Sequence, residues 1–161
     1  MSLMVVLEAL SYLVTILGLP LAIAVFVHEQ RKSRQNEENA LHRLLSEEYD
    51  RFLSVLLDHS DLLLLQSRPD LKLTEEQEER KYVLLSILVS LFEKAYIILH
   101  SQSMSRDTQR LWQSWEDYMR EWCRREDFRR LLPRLLEGED AQFSEHIERI
   151  AAEEARAAPG R

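Results

Sequence analysis

The chain has 161 residues, 45% of them apolar, with only 3 Gly and 4 Pro, which suits one helical domain with a core and disfavours a β-sandwich, a barrel or a long disordered region. Its formal net charge of −7, with acidic and basic residues mixed along the chain, leaves no broad cationic face for a phosphate backbone, so nucleic acid is not expected as a partner. One cysteine, Cys123, excludes an internal disulfide and a cysteine zinc cluster, and fits a reducing compartment.

From Leu3 to Val27 the chain carries 25 residues with Glu8 as the only charge, more than the roughly 20 that a helix needs to cross the hydrocarbon core. This predicts an N-terminal transmembrane anchor. A cleaved signal peptide fits less well, because no basic residue precedes the run and the run is longer than a signal core. A soluble helix of this kind would need apolar partners on all sides, which a small domain does not supply. Arg31, Lys32 and Arg34 follow directly, so the positive-inside rule places the C-terminal domain in the cytoplasm. Gly18 and Pro20 lie within the span, where proline removes a backbone hydrogen bond and tends to bend the helix. Glu8 is costly in hydrocarbon. Starting the span at Ala9 still leaves 19 residues to Val27 and puts Glu8 at headgroup level, the preferred placement; the alternative turns Glu8 toward other copies, sharing hydrogen bonds or lining a pore.

The sequence then divides into an anchor and basic juncture over 1–35, a helical bundle of about four to five helices over 36–150, and a fraying tail over 151–161. Residues 36–58 place Leu41, Leu44, Leu45, Tyr49, Phe52, Leu53 and Leu56 at helical spacing. No Gly or Pro separates this segment from the anchor, so one long helix and a break near Gln35–Glu38 are both open. Asp58-His59-Ser60-Asp61 reads as a break. Thr74 with Gln77 has the pattern of a capping box, followed by acidic residues suited to a helix N-terminus. The helix it opens is apolar on most sides from Tyr82 to Leu99 and should be the central one. Glu93 and Lys94 interrupt it, and an acidic turn precedes it, which argues against a second membrane span. Glu93 is the buried polar candidate, expected to pair with Arg120, Arg124 or Arg125. Ser105 can cap the next helix, whose Trp112, Trp115 and Trp122 form one stripe, read as core rather than as a ligand cleft. Phe128 to Leu136 is a shorter element interrupted at Pro133 and closed by Gly138, and Phe143, Ile147 and Ile150 mark a last helix.

Catalytic chemistry is hard to find. The 5 histidines are scattered without a metal-binding pair, and three glycines cannot build a phosphate-cradling loop, so neither a metal nor another cofactor is expected. Glu38 and His42, one helical turn apart, read as a solvated pair. Cys123 has arginine neighbours but no histidine base near it in sequence and reads as a packed thiol. Helical RNases of the HEPN class carry an Arg-x(4 to 6)-His motif, whereas the nearest pairs here, Arg34 with His42 and Arg51 with His59, have seven residues between them.

The segment Gly18-Leu19-Pro20-Leu21-Ala22-Ile23, the core Leu91-Phe92-Glu93-Lys94-Ala95-Tyr96, and Trp112-x-x-Trp115-x-x-Tyr118 leading to Arg125-x-x-Phe128 resemble a loose group of small bacterial single-pass membrane proteins with a cytosolic helical domain. The resemblance implies an anchor in the bacterial inner membrane and carries no activity or site residues with it. The expected function is a non-enzymatic, membrane-anchored helical scaffold or signalling module that associates with itself in the lipid bilayer and with a protein partner. The alternatives are a homo-oligomeric pore or membrane-perturbing effector, and an RNA-binding or nuclease-like helical domain.

Overall fold

The computed structural model describes residues 3–65, 72–100 and 106–157, without side-chain description for 3–17, Leu19, Arg31, 34–39 and Asp107. The described residues are all-α: helices α1 (Leu3–Asp58), α2 (Glu75–Leu99), α3 (Arg106–Cys123), α4 (Glu126–Leu135) and α5 (Ala141–Ala157), with a short 3₁₀ turn at Ser60–Leu62. The chain divides into two compact units, Met1–Leu41 and His42–Arg161.

In the first unit α1 continues through Pro20. Its described side chains are exposed, including Leu21, Ile23, Val25, Phe26 and Val27. No helix break is found near Gln35–Glu38, since α1 ends only at Asp58.

The second unit has the core. Leu45, Phe52 and Leu56 of α1 are buried at the i, i+7, i+11 spacing of one helical face. α2 contributes Leu84, Leu85, Leu88, Val89, Phe92 and Ala95, and packs against α3, α4 and α5. Among the described residues α2 is the one helix long and apolar enough to cross a membrane, but half of its apolar window is buried inside the fold. It is the core helix that its sequence predicts. The three tryptophans are buried too, with Trp115 edge-on to Phe92 and to Tyr49.

Local signals explain where elements stop. α1 ends at the anticipated Asp58–Asp61 break, and Leu63 closes the following turn in the left-handed region. The Thr74 hydroxyl accepts from the Gln77 N–H and the Gln77 side chain accepts from the Thr74 N–H, so the capping box forms. Pro133 does not interrupt its helix as expected: it sits within α4, two residues before the end, where the missing N–H costs one bond. Gly138, at φ +93, makes the turn that follows. Of the tail expected to fray over 151–161, residues 151–157 are helical, since α5 runs to Ala157; Ala151 is buried and Glu153 and Glu154 are held by Arg120 of α3, while 158–161 lie outside the described residues. The anticipated Ser105 cap lies outside the described residues.

Candidate functional site

Glu93 does not find an arginine. Arg120 pairs with Glu116, Glu153 and Glu154, Arg124 with Glu154, and Arg125 with Asp127. The Glu93 carboxylate instead accepts from the backbone N–H of Asp140 at 2.5 Å and meets the carboxyl of Glu139. Burial, and then the hydrogen bond with Glu93, raise the pKa of Glu139. Asp140 is fixed there because its own carboxylate caps α5, accepting from the N–H groups of Gln142 and Phe143.

Ser90 connects this acid pair to a groove. Its hydroxyl donates to Glu139 at 3.0 Å, while Ser90 itself lines a hollow of about 460 Å³ between α1 and α2. On its α3 side α1 is held by large rings: Tyr49 stacks on Tyr118 with centroids 4.6 Å apart, and Phe52 meets Trp122 edge-on at 6.3 Å. On the α2 side the small Ser86 and Ser90 line the hollow.

Phe52, Val55, Ile87 and Leu91 give the groove its apolar floor, and Glu48, Arg51 and Lys94 give it charge. Lys94 Nζ bridges to Glu48 at 3.3 Å across the groove, with side chains 48% and 34% exposed, a pairing of modest worth. Arg51 makes no ion pair among the described residues. Ser86 donates to the Tyr82 carbonyl, so with Ser90 on Glu139 both hydroxyl protons are committed. Among the described residues no histidine stands within hydrogen-bond reach of either serine.

A second polar cluster is structural. Lys81, 8% exposed, bonds Asp127 at 2.8 Å, and Asp127 also takes both guanidinium bonds of Arg125. These two cations hold the Asp127 carboxyl far below the usual range against the opposing effect of burial. Arg125 donates to the Leu64 carbonyl as well and stands over the Trp122 ring, so the cluster ties α2, α4 and the loop after α1 together. Sequence reasoning named Arg125 but missed Lys81 and Asp127, whose pairing follows from the packing of α2 on α4.

Of the residues singled out for the expected anchor and its juncture, Gly18, Pro20 and Lys32 are exposed within α1, whereas the side chains of Glu8, Arg31 and Arg34 lie outside the described residues, as does that of Glu38. His42 contacts Ser46. Burial pushes the Cys123 thiol up to about 12, which fits a packed thiol and not a nucleophile. No group of three or more potential metal ligands occurs among the described residues. No family model, no curated protein and no solved structure matches the chain.

Proposed function

We propose that the chain is a non-enzymatic, membrane-anchored helical module that associates with itself, with residues 3–27 in the bilayer and the domain from His42 onward in the cytoplasm. The observation that carries this reading is the surface of α1 from Leu21 to Val27. Leu21, Ile23, Val25, Phe26 and Val27 are 41% to 66% exposed, and at 100° per residue they point around the helix rather than along one stripe. An apolar surface on every side needs an apolar surrounding, and a bilayer supplies one. The lone Glu8 in the run and the basic residues Arg31, Lys32 and Arg34 after it support the same reading, with the orientation given by the positive-inside rule. The resemblance of the sequence to small bacterial single-pass proteins supports the bacterial inner membrane as the site of that anchor.

Confinement to two dimensions raises the local concentration of the cytoplasmic domains, so weak contacts between copies suffice for assembly. Carbonate washing of membranes followed by mass measurement of the full chain in nanodiscs tests both halves of the proposal. Release by carbonate removes the anchor from the reading. Retention together with a strictly monomeric mass keeps the anchor and removes self-association.

A further inference from the structure

The groove between α1 and α2 has the charge of a receptor for anions in a chain that is itself acidic. Glu48, Arg51 and Lys94 on its lining sum to +1, whereas the whole chain carries −7. Arg51 has no ion-pair partner among the described residues, and Lys94 is held only by the partly exposed bridge to Glu48, which yields at little cost to a better-placed anion. A guanidinium offers a planar pair of donors to a carboxylate or phosphate, and an ammonium beside it adds a point charge.

Size decides what else the occupant has. The volume of about 460 Å³ lies in the range of small-molecule sites. A partner helix about 10 Å wide, rising 1.5 Å per residue, would place only roughly four residues in that space. A flexible alkyl chain fills it more completely and covers Phe52, Val55, Leu91 and the half-exposed Ile87. The polar and apolar parts are also ordered along the groove. Glu48 pairs with Lys94 near one end while Asp61 pairs with Arg80 far beyond the other, so α1 and α2 run antiparallel; Val55 therefore lies toward Ile87 and away from the Lys94 end.

We propose that this groove binds a single-chain amphiphile with an anionic head, the head on Arg51 and Lys94 and the chain over Phe52, Val55, Ile87 and Leu91. The lining belongs wholly to the unit His42–Arg161, so the inference depends neither on the membrane anchor nor on self-association. Fatty carboxylates and monoacyl glycerophosphates share the required chemistry.

The test uses the full chain in phosphatidylcholine nanodiscs with a photoactivatable hexadecanoate, and maps the cross-links by peptide mass spectrometry. Labelling is expected within residues 48–55 and 86–94, and should fall about tenfold or more in Arg51→Glu, which replaces an exposed side chain, and in Ser86→Trp, which fills the groove. Unlabelled hexadecanoate and monoacyl glycerophosphate should compete while hexadecanol does not, and the stronger of the two anions identifies the source. Should Ser86→Trp fail to fold, Arg51→Glu alone decides. Labelling confined to other segments, equal competition by hexadecanol, or undiminished labelling of Arg51→Glu overturns the proposal. A groove filled by a partner helix would shield 48–55 and 86–94 from the probe and overturn it as well.

Discussion

His146 is 7% exposed on α5, among the rings of Tyr96, His100 and Trp112. Arg149 donates to its Nδ1 at 2.8 Å, which leaves the ring proton on Nε2, where no partner stands among the described residues. Burial above all, then the Arg149 charge, with smaller contributions from His100 and Arg120 and an opposing one from Glu116, pushes its pKa down to about 4. An unfolded histidine titrates near 6.5, so the unfolded chain binds the extra proton first. Stability from this group is therefore complete above about pH 6.5 and is lost as pH falls toward 4. At pH 5 the loss should be about 2 kcal/mol, and His146→Phe should abolish it. Glu139 acts in the opposite direction, because its raised pKa favours the folded state as it protonates, and Glu139→Gln isolates that part. Denaturant titrations in mild detergent at pH 7.5 and 5 make the comparison, and an equal loss in wild type and His146→Phe would exclude the histidine as its source. Asp127→Asn should be the more damaging substitution. It removes the anion shared by Lys81 and Arg125, leaves a buried ammonium without its partner, and should cost about 3 kcal/mol in the same titration at pH 7. A cost below about 1 kcal/mol would mean that solvent reaches Lys81.

The elements were most legible where a local chemical signal marks a boundary. The capping box at Thr74 can be read from two residues three apart, and Thr74→Ala should cost about 1 kcal/mol, measured as a lower denaturation midpoint with unchanged slope. Gln77 also donates to Asp61 at 3.1 Å, so Gln77→Ala should cost more than the box alone, and the double variant should cost less than the sum. Additive costs would mean that the two side chains act separately. The boundaries that sequence missed depend on partners distant along the chain. The Ala, Glu and Arg of Ala151–Ala157 favour a helix locally, but the contact that anchors it is distant: Arg120, more than thirty residues earlier, bonds Glu153 and Glu154. Glu93 was legible as a polar position in the central helix, but not its partner: the start of α5, 47 residues on, brings the Asp140 N–H to it. The groove was equally hidden, because its residues read as ordinary exposed and core positions until the fold brings α1 and α2 side by side.

At the scale of the whole molecule, two segments compete for the description of a membrane span, and charge substitution separates them. Residues 3–27 are apolar around the helix, while α2 is apolar because it is central to a protein core, with Leu84, Leu88, Val89 and Phe92 inside and Ile87 and Ile97 facing out. The proposed anchor predicts that Leu21→Lys with Ala24→Lys shifts the chain from the membrane toward the soluble fraction, since a lysine within a span disfavours insertion, by up to about 2.5–3.5 kcal/mol at its centre and less toward its ends. Val83→Lys with Ile97→Lys places the same charges on exposed positions of α2 outside the groove, where a water-facing site tolerates them within about 0.5 kcal/mol, so this variant should remain membrane-bound and folded. The reverse pattern, release by the α2 pair and retention of the Leu21 and Ala24 pair, would make α2 the segment in the lipid. The half of that helix buried against α3, α4 and α5 would then have to leave the core, so the same variant should also lose its cooperative unfolding transition.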